Sequence, residues 1–324
     1  MGTFWRRRLR GSERSKESQS VSKDLMLDLS PERQFDVGRG IELCARTAGD
    51  PSARPLVLIA GWTQHLNTWP VPLLALFVRR GFFVVVFDNR DVGRSTHVNV
   101  PPPTTVEMLR RRFSAEQYTL EDMAQDTIGL LDALELSRAH IVGKSMGGMI
   151  GQILAAEHPD RILTLTSIMS RTGARRTGRT AKSTWIRMGA SPAKTAAAHA
   201  KYMASFMRHI GSNGYPFDED AARAEALEAW ERDDGPNADG VSRQLGAIFK
   251  SEDRTALCGR ITVPTLVIHG DGDRMVHTSG GRATAAAIPK ARLRVYPGMG
   301  HDLPSELWEQ IVDDIVSLTE AQGS

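Results

Sequence analysis

Apolar residues follow two rhythms along this chain. Pro55-Leu56-Val57-Leu58-Ile59-Ala60, Phe82-Phe83-Val84-Val85-Val86-Phe87, Ile162-Leu163-Thr164-Leu165-Thr166-Ser167 and Pro264-Thr265-Leu266-Val267-Ile268-His269 are short, largely continuous apolar runs. Runs of that length read as strands covered on both faces. Ile41 to Ala45 alternates, and Ile141-Val142 and Leu293 to Tyr296 are shorter strand signals. Between them lie helical patterns: Val71 to Arg80, Thr119 to Leu134, the segment from Met149 to Ala156, Gly281 to Ile288, and a last amphipathic stretch from Pro304 through Leu318. Thr119 with Asp122 three positions on offers an imperfect capping box. Strand and helix alternate, which predicts an α/β fold with a mostly parallel sheet and helices on both faces.

Residues 171–250 break the alternation and read as helices only, with Ser191-Pro192 as a cap and first-turn proline. Their charge is segregated. Residues 171–208 carry nine Lys/Arg and no acid, whereas 218–234 carry eight Asp/Glu and two Arg. The expected organisation is a core of residues 34–170 and 251–324, interrupted by a helical cap at 171–250. The basic block is expected to be a solvated face or to pair with the acidic block; the other readings are anionic substrates and lipid headgroups.

The first 33 residues differ from the rest. Residues 1–23 hold seven Lys/Arg and two Glu, so the net charge of +3 comes from this arm and the remainder is slightly acidic. The arm is expected to be disordered, with a weak membrane-surface contact through Trp5 and its arginines as the alternative. It lacks the apolar core of a secretory signal. No nucleic-acid partner is expected. No apolar run reaches the about 18 residues of a membrane span. Cys44 and Cys258 sit apart in apolar surroundings, as buried thiols would, which suits a reducing compartment and a cytoplasmic location. No metal-ligand spacing is present, and no cofactor is expected.

The chemistry concentrates at His140-Ile141-Val142-Gly143-Lys144-Ser145-Met146-Gly147-Gly148. A strand end runs into Gly-x-Ser-x-Gly and then into a helix, the setting that lifts a serine hydroxyl above a sheet. Gly143-Lys144-Ser145 also spells the end of a phosphate loop, but that loop needs a glycine where Arg138 stands. Lys144 is expected at the surface, or else biases the site toward anions. A nucleophilic serine needs a base and an orienting acid, each just after a strand. Gly270-Asp271-Gly272-Asp273 and Gly298-Met299-Gly300-His301 fit, giving His301 as base and Asp273, with Asp271 as alternative, as acid. His65, His140, His269 and His277 also lie near strand ends. Asp302 is expected to be a hydrogen-bonding loop residue.

These three motifs together resemble the α/β-hydrolase superfamily, and Asp88 to Ser95 looks like that family's loop after the fourth strand. Met299-Gly300-His301 with Leu303-Pro304, and Trp69 following Gly61, resemble the bacterial esterases that include the aclacinomycin methylesterases. The resemblance implies an oxyanion hole from the N–H groups of Trp62 and Met146. It departs from the frequent His-Gly at Ala60-Gly61. The implied activity is hydrolysis of carboxylic esters, lipase-like or thioester cleavage included, through an acyl-enzyme on Ser145. The alternatives are a C–C bond hydrolase or perhydrolase on the same triad, and a non-catalytic ligand-binding protein. The expected partner is a small ester with a hydrophobic acyl group. Candidate substrate contacts are His65 and, on one face of the cap, Tyr202, Met203, Phe206 and Met207; packing of that face onto the core is the competing reading.

Overall fold

A computed structural model describes residues 27–189 and 193–320. Its centre is an eight-stranded sheet: β1 (Arg33–Asp36), β2 (Glu42–Ala48), β3 (Arg54–Ile59), β4 (Phe82–Phe87), β5 (Ala139–Lys144), β6 (Ile162–Ile168), β7 (Thr265–Gly270) and β8 (Arg292–Tyr296), in the order β1-β2-β4-β3-β5-β6-β7-β8. β1 and β2 are antiparallel, and every pairing from β4 to β8 is parallel.

Side-chain alternation divides the core. Val57, Ile59, Val85 and Phe87 join the apolar cluster on one face, while Leu56, Leu58, Val84 and Val86 join the other. The first face is covered by α3 (Leu120–Ala133) and α4 (Met146–Glu157), the second by α1 (Val71–Arg79) and α11 (Trp308–Glu320). This two-sided cover is why the central strands read as continuous apolar runs. The box at the start of α3 is complete: Thr119 Oγ1 accepts from Asp122 N, and Asp122 Oδ2 accepts from Thr119 N. A second box, Thr104 with Glu107, starts the short α2 (Thr105–Arg110) directly after Pro101-Pro102-Pro103, three prolines that read as a surface loop. Burial pushes the Cys44 thiol up to about 12 and Cys258 to about 11, so neither is a thiolate at neutral pH.

The insertion is helical: α5 (Lys182–Met188), α6 (Ala196–Ile210), α7 (Glu219–Arg232) and α8 (Ala238–Lys250). Thr195 caps α6; the expected cap and proline at Ser191-Pro192 lie outside the described residues. The short α9 (Thr255–Cys258) and α10 (Ser279–Ala287) complete the helices. The basic and acidic blocks meet at Arg208–Glu219 only, among the described ion pairs.

Residues 1–26 of the basic arm lie outside the described residues. Its end is built into the fold. Leu29 bridges Ala48, Ser30 N donates to Thr47 O, and Glu32 accepts from Arg94 and Arg232. The core therefore begins several residues before the expected boundary at 34, because a buried cap arginine needs Glu32.

Candidate active site

Ser145 occupies the turn between β5 and α4 with φ 55° and ψ −117°. This is a conformation that costs a non-glycine residue energy and must be held by its surroundings. Ser145 N donates to Ile168 O at 2.8 Å, and Ser170 Oγ donates to Ser145 O at 2.8 Å. Close approach excludes side chains around it. A Cβ on Gly143 would collide with the Gly147 carbonyl, and one on Gly147 with the Ile59 carbonyl.

His301 reaches Ser145 from the loop after β8. Its Nε2 lies 3.0 Å from Ser145 Oγ, and its Nδ1 lies 2.7 Å from Asp273 Oδ2. A carboxylate only accepts, so Nδ1 carries the proton and Nε2 is free to accept from the serine hydroxyl. Asp273, in the loop after β7, is 3% exposed. Its Oδ1 accepts the N–H groups of Met275 and Val276, each at 2.8 Å. Burial alone would raise its carboxyl; His301, hydrogen-bonded to it, and the nearby His269 outweigh burial and hold it down to about 2. Gly272 N donates to Met299 O, and Gly298 N donates to Asp271 Oδ1, stitching the two loops together. Asp271 is thus spent on the loop and does not reach His301. Asp302 accepts from Ser212 N and Oγ, and His301 N donates to Ile210 O, so the end of α6 braces the His301 loop.

The turn Gly61-Trp62 lies against the serine: a Cβ on Gly61 would stand 3.2 Å from Ser145 Cβ. Met146 is the first residue of α4, so its N–H has no acceptor within the helix. The cap holds the turn. Trp62 Nε1 donates to Val241 O and Thr63 N to Gln244 Oε1, each at 2.9 Å. The Met146 N–H and the positive end of α4 therefore stand beside Ser145, where they favour negative charge.

His65 is 2% exposed, and its Nε2 lies 3.0 Å from Asp233 Oδ1, an ionic approach without hydrogen-bond alignment. It joins core to cap. Tyr202 and Phe206 stack at 6.0 Å between ring centres, and the Tyr202 hydroxyl donates to Arg187 O. Met203 and Met207 are half-buried on the same helix. Lys144 overturns the surface expectation: it is 6% exposed, Nζ donates to Thr68 O at 2.9 Å, and it lies 4.5 Å from the Trp69 ring centre. Burial pulls its ammonium down to about 8.

Two buried groups have roles that the sequence does not announce. His269, fully buried, has Nε2 2.7 Å from Val276 O and 3.4 Å from Asp273 Oδ2. The carbonyl fixes its proton on Nε2, which faces the acid with a positive dipole. The loop after β4 is the other. Asp88 accepts from Leu66 N, Arg94 N and Arg232, while Arg90 forks onto Asp126. Asp-x-x-Asp beside buried arginines was the available signal, but its partners are distant in sequence.

This constellation of elbow, histidine loop and acid loop sits on a sheet of one known order, and the sequence profile of the alpha/beta hydrolase fold matches residues 54–306. The chain belongs to the α/β-hydrolase fold family. Among its relatives, rhodomycin D methylesterase of Streptomyces peucetius is 28% identical over 300 residues, covering 87% of this chain and 96% of that protein. A second rhodomycin D methylesterase, from Streptomyces sp. strain C5, is 29% identical with the same coverage. Among solved structures, a hydrolase from Pseudomonas aeruginosa superposes with a TM-score of 0.66 at 25% identity, covering 89% of this chain and 98% of that one. The esterase branch expected for this α/β hydrolase is the one in which its methylesterase relatives fall.

Proposed function

We infer that this α/β hydrolase cleaves carboxylic esters through an acyl-enzyme on Ser145. The observation that carries the reading is the unbroken chain from Ser145 Oγ to His301 at 3.0 Å and from His301 to Asp273 at 2.7 Å. Ser145 Oγ attacks the ester carbonyl carbon while His301 Nε2 takes its proton. The carbonyl oxygen becomes an oxyanion held by the N–H groups of Trp62 and Met146. Asp273, charged down to about pH 2, stabilises the imidazolium. The intermediate collapses, His301 gives its proton to the departing alcohol, and water repeats the sequence on the acyl-enzyme. The two relatives named methylesterases support an ester whose alcohol is small.

The test is steady-state hydrolysis of p-nitrophenyl esters from acetyl to palmitoyl, and of methyl esters of bulky acids, beside Ser145→Ala. Turnover by the wild type with a loss of about 10³-fold or more in the variant is expected. Equal rates in both proteins sink the reading and bring forward C–C bond hydrolysis or ligand binding.

A further inference from the structure

Four of the seven large apolar side chains exposed among the described residues sit on just two short helices: Val106 and Leu109 on α2, Trp185 and Ile186 on α5. Leu109 and Ile186 are the most exposed of all, at 80% and 77%. The two helices meet over one residue of α8. The Arg111 guanidinium lies 5.4 Å from the Phe249 ring centre, and the Trp185 ring centre lies 6.4 Å from it. The apolar pairs therefore flank a common point on the cap.

Their surroundings are mainly cationic. Arg110, Arg111 and Arg112 follow Leu109 and are exposed. Arg175, Arg176, Arg179, Lys182 and Arg187 surround Trp185 in sequence and are exposed as well. None of these eight cations is in an ion pair among the described residues, although the acidic α7 belongs to the same cap. Of the nearby acids, Glu107 closes the cap of α2 and Asp253 accepts the N–H and hydroxyl of Thr255, which leaves Glu116 and Glu252 as exposed acids against the eight cations. α5 is also tied to the active-site loop, because Ala181 N and Thr184 Oγ1 donate to Arg274 O, next to Asp273.

We propose that α2 and α5 form a docking surface for an anionic lipid bilayer. Leu109, Ile186, Val106 and Trp185 enter the headgroup–acyl boundary, and the unpaired arginines and lysine meet lipid phosphates. Exposed apolar tips ringed by cations are what such a boundary recognises: the apolar groups lose water, and the cations gain the negative surface potential. A protein partner would have to be strongly acidic to match this ring. Docked this way, the enzyme holds the acid loop of its site close to the membrane from which a hydrophobic ester would partition.

The experiment is co-sedimentation of the full chain with vesicles of phosphatidylcholine alone and of equal parts phosphatidylcholine and phosphatidylglycerol, beside hydrolysis of p-nitrophenyl acetate. The wild type is expected to bind the anionic vesicles about tenfold better than the neutral ones, with binding weakening as salt rises. Leu109→Glu/Ile186→Glu, at sites that touch little of the fold, is expected to lose about tenfold in anionic-vesicle binding and to keep its rate on the soluble ester. Arg110→Gln/Arg175→Gln/Arg176→Gln is expected to weaken anionic-vesicle binding. Wild-type binding by the Glu variant overturns the proposal and assigns the contact to residues 1–26. So does absence of binding by the wild type. A wild-type dimer that the Glu variant dissociates in analytical ultracentrifugation also overturns it, and makes the patch a contact between copies.

Discussion

Arg243 of the cap grips Asp91 of the β4 loop with two parallel hydrogen bonds, Nε to Oδ2 at 2.9 Å and Nη2 to Oδ1 at 2.8 Å. Both are buried, and Arg243 also donates to Val100 O. Removing one partner of such a pair strands a charge. Arg243→Met is expected to cost about 3–5 kcal/mol, read as a fall in the urea midpoint. A change below about 1 kcal/mol would mean that Asp91 finds another donor.

Asp273→Asn separates charge from geometry. The N–H groups of Met275 and Val276 require an acceptor on one side of the side chain. The amide oxygen will take that side, leaving NH₂ toward His301 Nδ1. Nδ1 must then accept, and the imidazole proton moves to Nε2, facing Ser145. A base already protonated there cannot take the serine proton. The expected result is an about 10⁴-fold drop in kcat with the fold intact. A loss below tenfold would remove Asp273 from the mechanism.

The buried Asp273 also sets acid sensitivity. Its carboxyl is held down to about 2, below its value in the unfolded chain. The stabilisation is therefore complete above about pH 4 and disappears as pH falls toward 2. In Asp273→Asn this part of the acid limb of a stability–pH profile is expected to flatten.

Lys144 acts in the opposite direction. Its ammonium is pulled down to about 8, so the unfolded chain binds the proton more tightly than the folded one. Stability should rise between about pH 8 and 10, while the burial cost is fully present at pH 7. Lys144→Met is expected to be at least as stable as the wild type at pH 7 and to lack that rise. Marked destabilisation at pH 7 would show that the Thr68 hydrogen bond and the Trp69 ring contact outweigh desolvation.

Gly147→Ala probes the elbow. The added methyl collides with the Ile59 carbonyl, backbone that cannot swing away. A lower melting temperature together with lost esterase activity is expected; an unchanged protein would show that the turn has slack.

The strands, the elbow and the two loops carrying Asp273 and His301 were legible in the sequence because each is written locally. An apolar run ends, glycines mark a turn, and one reactive residue follows. What could not be read are partnerships across distance. Arg232 meets Asp88 across 144 residues, and nothing near Asp88 announces it. His65 lies in the loop after β3, and nothing near it announces Asp233 of the cap, which lies beside it. Lys144 looked exposed because lysines usually are, while the Thr68 carbonyl and Trp69 ring that receive it come from a loop some 76 residues away. Short helices are another blind spot. The Thr104/Glu107 box was present in the letters, but three prolines before it marked the region as loop.

Arg232 joins Asp88 of the core loop to Glu32, which precedes the first strand. The residue that looks like the tail end of a dispensable leader is thus one of the acceptors that neutralise a buried cap arginine. Where the chain is trimmed consequently matters for a cap helix about 200 residues further along the sequence. A version starting at residue 27 keeps this latch. One starting at residue 34 leaves Arg232 with half its counter-charge, and its cap should exchange amide hydrogens faster than the rest of the enzyme.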